Sequence, residues 1–338
     1  MKKLMIIFLF FFSSAFAQQD LYLTLNTNKA RPVAMGGAYS SIEDNIVSAT
    51  YNPASLNLYQ REKVFRVTFF FNPITPTVLF YDGLTKQKNA NSETNNQRIL
   101  KNAATIIKGI IFTAKFLDLG LIFNEQLIDR NDLFGQKVFF KDLDLWNNCY
   151  HTLVTRIKLA DRVSIGASAN LYMKKIADKT ERYYGFNYGI LVKPSANLNV
   201  GISYNYFPKS IPSVRQPLER LADQTINAGI SLRPIKSATL SIDLRNLTEE
   251  KGKSTFEVHF GFEQRLFSIF ALRGGFFQES QSNYKMISGG IGLIDSNLFF
   301  SKESRFSQPH FMLNYSLAYK KEVKEFYRWH LISLSIRL

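Results

Sequence analysis

Four histidines, His151, His259, His310 and His330, are the side chains here best suited to proton transfer or metal ligation. No two of them have metal-ligand spacing, and none adjoins a nucleophile motif. There is no Gly-x-Ser-x-Gly elbow, no phosphate-binding loop and no paired-carboxylate arrangement. The single cysteine, Cys149, excludes an intramolecular disulfide framework and reads as a minor strand or loop residue. Catalytic, metal and cofactor sites are therefore not expected. The densest group of unusual residues lies near the start: Met35, Gly36, Gly37 and Tyr39, then Asp44, then Asn52, Pro53 and Ala54. Adjacent glycines permit turns that Cβ atoms block and let a chain press against a wall. An Asn before Pro favours an extended turn whose amide is free to bond backbone groups. An ordinary turn is the alternative reading of Asn52-Pro53.

The elements that must position these residues follow from export. Lys2 and Lys3, the apolar run Leu4–Phe12 and Ala15-Phe16-Ala17 read as a signal peptide, residues 1–17, cleaved after Ala17. An uncleaved anchor is the alternative. Cleavage takes 17 residues from 338 and leaves 321, enough for one large barrel or two ordinary domains. Beyond the leader no stretch of about 18 apolar residues occurs, so no membrane-spanning helix is expected.

From Tyr150 onward the chain alternates with period two. Val163, Ile165, Ala167, Ala169 and Leu171 face one way; Ser164, Gly166, Ser168 and Asn170 face the other. The same two-walled pattern recurs over 184–192, 198–206, 226–232, 238–245, 256–263, 311–319 and 332–338. Segments of about nine to twelve residues with aromatic ends suit a tilted strand crossing a bilayer. The polar walls, rich in Gly, Ser, Asn, Asp and Arg, suit a hydrated lumen. Eleven strands are read after Tyr150, and Lys63–Phe71, Gly109–Phe116 and Asp118–Glu125 bring the number to about 14. Thr77–Tyr81 reads as part of an excursion or as an extension of the first strand. The fold class is thus all-β: a transmembrane antiparallel β-barrel over 63–338, preceded by an irregular plug at 18–62. A soluble β-sandwich or β-helix is the competing reading. Residues 85–108 form a polar insert that turns helical in spacing, either an interfacial helix or a helix on the barrel rim.

The run Ala34-Met35-Gly36-Gly37-Ala38-Tyr39-Ser40, with Asp44 and Tyr51-Asn52-Pro53-Ala54, resembles the hatch signature of FadL-type outer membrane barrels, closest to the PorV/PorQ-like subgroup. Ala30-Arg31, Gly261-Phe262-Glu263 and Leu272-Arg273-Gly274-Gly275 add to the resemblance. It implies a 14-stranded barrel whose N-terminal segment folds inward as a plug. It also implies passage of hydrophobic or amphipathic small molecules. The alternatives are an accessory barrel of type IX protein secretion, binding a translocon or cargo protein, and a purely structural barrel.

The net charge is +15, or +13 without Lys2 and Lys3. Nucleic acid is not an expected partner of an exported barrel with no nucleic-acid fold motif. Outer membrane lipid and the phosphates of lipopolysaccharide, an anionic or fatty-acid-like ligand, and an acidic partner surface are the candidates. Lysines scattered over solvated loops are the plain explanation.

Overall fold

The computed structural model describes residues 29–56, 65–71, 78–80, 107–126, 149–176, 179–206, 224–247, 249–250, 253–254, 256–267, 269–279, 285–293, 310–321 and 326–337. The expected signal peptide, residues 1–17, and most of the expected 85–108 insert lie outside these residues.

Fourteen antiparallel strands form one closed sheet. In chain order they are β1 (Phe65–Phe71), β2 (Ile107–Ala114), β3 (Leu117–Gln126), β4 (Cys149–Ala160), β5 (Val163–Ile176), β6 (Lys179–Ser195) and β7 (Leu198–Tyr206). They continue as β8 (Gln224–Leu232), β9 (Ala238–Arg245), β10 (Glu257–Leu266), β11 (Phe270–Glu279), β12 (Lys285–Leu293), β13 (His310–Lys321) and β14 (Phe326–Arg337). Each strand pairs with its sequence neighbours, and β1 closes on β14 through Phe70 opposite Arg337 and Phe71 opposite Ile336. Val78–Phe80 pairs with Ile332, Leu331 and His330 on the same edge of β14. The segment therefore prolongs β1 along the seam and is not a fifteenth stave.

The period-two pattern maps onto the two faces. Tyr184, Phe186, Tyr188 and Ile190 of β6, Ile226 and Ile230 of β8, Ile242 and Leu244 of β9, and Phe260 and Phe262 of β10 all point outward and are exposed. Such an apolar outer wall requires a lipid neighbour. Tight connections at 115–116, 161–162 and 196–197 mark one end of the barrel. Exposed Phe65, Phe116, Phe267 and Phe270 gather at that end, as an aromatic girdle does at a membrane interface.

Two expectations need correction. The helical spacing at the end of the 85–108 insert is not used by Ile107 and Lys108, which begin β2. Ile107 instead pairs with Phe71, because the β-branched run Ile107, Ile110 and Ile111 suits a strand whose backbone groups β1 can satisfy. Strand lengths also fall outside the expected range at both ends, from 7 residues in β1 to 17 in β6. The far end of β6, Lys179–Arg182, is exposed, and pairing with β5 carries the hairpin past the apolar band.

Replacing outward-facing Ile242, at the middle of β9, with Arg should destabilise the barrel by about 2–4 kcal/mol. Urea unfolding from lipid vesicles measures this; an unchanged midpoint would mean that this face does not meet lipid.

Candidate functional site

Residues 29–56 lie inside the barrel. They form a short helix α1 (Ala30–Ala34), a turn through Gly36 and Gly37, a second short helix α2 (Ile46–Ala49) and a 3-10 turn (Pro53–Ser55). Both glycines have positive φ, +61° and +77°. Asn45 caps α2 by accepting from Val47 N at 3.0 Å, and Asn52 caps the 3-10 turn by accepting from Ala54 N at 3.0 Å.

The segment has two unlike sides. Toward β1–β4 it packs Ile46, Ala49 and Leu56 on Phe70, Ile111, Ile122 and Val154. Ala30 and Val33 of α1 pack on Phe277, Met286, Ala318 and Leu331 of β11–β14. Toward β5–β10, and at Arg156 of β4, the contacts are polar and main-chain. Asp243 Oδ2 accepts from Tyr39 N and Ser40 N, each at 2.7 Å. Ser241 donates to Ala38 O at 2.8 Å, and Asn199 and Ser231 donate to Ser41 O at 3.2 and 3.1 Å. Ala54 O accepts from Arg156 Nε at 3.0 Å and from Ser164 Oγ at 2.9 Å. The expected hydrated polar wall is, over this stretch, a wall buried against protein.

Glycines of the wall make that approach possible. A Cβ at Gly275 would occupy the backbone of Met35-Gly36, and one at Gly189 would overlap the Asn52 amide. Gly166 faces Pro53-Ala54 and Gly201 faces the Ser40 carbonyl in the same way.

Ion pairs complete the attachment. Arg31 reaches Asp44 at 2.6 Å and grips both oxygens of Glu263 at 2.9 Å. Glu263 also accepts from Arg273 at 2.7 Å, and Arg273 donates to Asn314 at 2.8 Å. On the opposite side Glu43 meets Lys193 at 2.5 Å and Arg156 at 3.8 Å, while Arg156 donates to Asp118 at 3.1 Å. Buried charges of this kind hold geometry because losing one partner strands the other.

Each residue singled out by sequence occupies a defined place. Met35 packs with Tyr39, Ile42 and Tyr51. The Gly36 carbonyl sits 2.5 Å from His259 Nδ1, and Gly37 lies beside the same ring. Tyr39 donates its hydroxyl to Asp44 at 2.6 Å; burial pushes this phenol well above its ordinary range and keeps it a donor. Asn52 donates to Ser40 O at 2.9 Å and to Ile190 O at 3.2 Å. Pro53 and Ala54 press on β5 at Gly166. All eight residues thus gather in the lumen. Their wall partners Asp243 and Arg156 belong to no motif in the sequence, and His259 stands there as an isolated histidine. The available signal was charge on an otherwise Gly, Ser and Asn wall, as in Asp243 and Arg245. His259, with no spacing to another ligand, also bridges to Glu257 at 2.9 Å and stacks on Phe277 at 4.9 Å. Cys149 is the first residue of β4 and is buried. Among the described residues no group of three or more His, Cys, Asp or Glu is placed to hold a metal ion.

No family model matches the sequence, and no curated protein does. Solved structures do match. The CymD monoaromatic hydrocarbon channel superposes with a TM-score of 0.53 at 11% identity, over 91% of this chain and 96% of that one. The shared fold is a closed 14-stranded antiparallel β-barrel. A FadL homologue of Pseudomonas aeruginosa (TM-score 0.47, 11% identity, 92% of this chain and 97% of that one) also matches. So does the toluene transporter TodX of P. putida (TM-score 0.48, 11% identity, 93% and 97%). In this barrel the lumenal segment is attached to the strand wall without a covalent bond beyond the chain itself.

Two changes test the attachment. Glu263→Ala leaves Arg31 and Arg273 facing each other and should weaken the docking of 30–44 by about 3–5 kcal/mol. Deuterium exchange of those amides should then rise while the strand ladder stays protected; unchanged exchange would place the anchoring elsewhere. Gly189→Val should push Asn52 off β6 and open the segment to added protease, with the barrel still folded by its heat-dependent gel mobility.

Proposed function

We propose that this barrel resides in the outer membrane and passes hydrophobic or amphipathic small molecules through a lumen that residues 29–56 obstruct. The observation that carries the reading is the mode of attachment. The segment is held by hydrogen bonds, ion pairs and short apolar contacts, so it can shift without breaking the strand ladder. The fold likeness to CymD, a monoaromatic hydrocarbon channel, supports the same cargo class. Outer membrane lipid and lipopolysaccharide phosphates are the proposed surroundings of the apolar belt and the basic charge. The PorV/PorQ-like reading, with a type IX translocon or cargo protein as partner, gains no support from that likeness.

Deleting 36–54 from the full chain should change the rate at which toluene enters proteoliposomes, by at least about tenfold if the segment is the main obstacle. Uptake of radiolabelled toluene, less the uptake by protein-free vesicles, gives the rate. Equal rates for the intact and shortened barrels would remove the segment from the transport path and favour a purely structural barrel.

A further inference from the structure

The end of the barrel marked by tight connections is the end that faces the periplasm in outer membrane barrels. Over one arc its rim is basic. Lys158 of β4, Arg162 of the next turn, Lys193 of β6, Arg233 and Lys236 between β8 and β9, and Arg265 of β10 are exposed or half-buried. Among the described residues of these strand ends and turns, the one acidic side chain open to water is Asp161, paired with Lys158 at 2.8 Å.

The arc borders the mouth of the lumen and is set back from lipid. Lys158 lies opposite Ser164, whose hydroxyl donates to Ala54 O inside the barrel. Arg233 follows by two residues Ser231, which donates to Ser41 O. Their alternating neighbours Leu159 and Leu232 are exposed and apolar and take the outer face.

Two of the six cations reach inward. Lys193, its side chain 26% exposed, meets Glu43 at 2.5 Å, and Arg265, 46% exposed, meets Glu263 at 3.5 Å. The two carboxylates are buried, at 2% and 1%. Each cation thus links water at the mouth to a carboxylate that anchors residues 29–56. Glu43 is the weaker anchor. Without Lys193 it keeps Arg156 at 3.8 Å, whereas Glu263 without Arg265 keeps both Arg31 and Arg273. A buried carboxylate that loses its nearest cation is costly to keep dry, so that loss favours movement of its backbone toward water.

We propose that this arc docks an acidic protein segment from the periplasm, whose carboxylates draw Lys193 away from Glu43 and loosen residues 39–44. Charge decides the partner: six cations with one exposed carboxylate among them steer an anionic surface to the mouth. Their place on the lumenal side of the wall favours a water-borne partner over lipid headgroups. The docking stands apart from the transport reading and extends it by supplying a trigger for the obstruction.

The probe is a fluorescent polyglutamate peptide added to the full chain in phosphatidylcholine nanodiscs, which leave both ends of the barrel open. Anisotropy should show binding that weakens as salt rises. Binding should fall about tenfold in Arg162→Gln with Arg233→Gln and Lys236→Gln. Three changes at the other end, Lys179→Gln with Arg182→Gln and Lys285→Gln, should leave it unaltered. Deuterium exchange at 39–44 should rise with bound peptide while the strand ladder stays protected. Absence of binding, equal losses in the two triple variants, or bound peptide without faster exchange at 39–44 would each overturn the proposal. So would exchange that rises when phosphatidylglycerol replaces phosphatidylcholine but not when peptide is added, which makes headgroups the occupant. If the rim variant fails to fold, the exchange response of the unmodified chain decides. Failure of the peptide to bind leaves the transport reading standing, and toluene uptake unchanged by deletion of 36–54 removes that reading without touching this one.

Discussion

At membrane depth every main-chain N–H and C=O must find its partner within the protein, and this single demand shapes both parts of the molecule. The strands meet it by closure, with β1 and Val78–Phe80 sharing the free edge of β14. The lumenal segment cannot meet it alone, because its two helices have only five and four residues. Its own turns satisfy some of the remaining groups, and the wall satisfies others. Asp243 takes two N–H groups; Arg156, Ser164, Ser231, Ser241 and Asn199 donate to its carbonyls. Irregular backbone is tolerated in the barrel because it is fully lined by protein.

That arrangement explains the composition of the inner wall. Long side chains would keep the segment too far away for hydrogen bonds to form between wall and backbone. Gly166, Gly189, Gly201 and Gly275 remove them at the points of contact. Serines and asparagines between those points reach inward by one or two bonds. The few charged residues appear in sets, such as Arg31, Glu263 and Arg273, where each carboxylate is shared by cations from two elements. Attachment is therefore strong in register and weak in covalent terms, the combination that a movable obstruction needs.

The segment also divides the lumen by character. Against β1–β4 and β11–β14 it buries Ile46, Leu56, Val33 and Ala30 on apolar side chains. Against β5–β10 it meets hydroxyls, amides and carboxylates. Apolar contacts resist separation without prescribing direction, whereas the hydrogen bonds of the other side set position within a fraction of an ångström. A shift of the segment that kept the apolar contact and broke the polar one would open space along β5–β7.

Local alternation, a property of successive side chains, was enough to read the strands, their outward faces and a number near 14, because strand geometry has period two whatever the partner. The unusual residues Gly36, Gly37, Asn52 and Pro53 were legible as a compact turn-rich unit for the same reason: their backbone demands are local. The sequence alone did not reveal which wall residues receive them. Asp243 lies 204 positions from Tyr39, and Glu263 lies 232 from Arg31, distances that only barrel closure brings to hydrogen-bond length. The wall glycines read in sequence as polar-face residues of a hydrated lumen; closure and the inward turn of 29–56 made them contact points. Tertiary structure decided the site because both its halves, segment and wall, exist locally, while their register depends on the shape of the closed sheet.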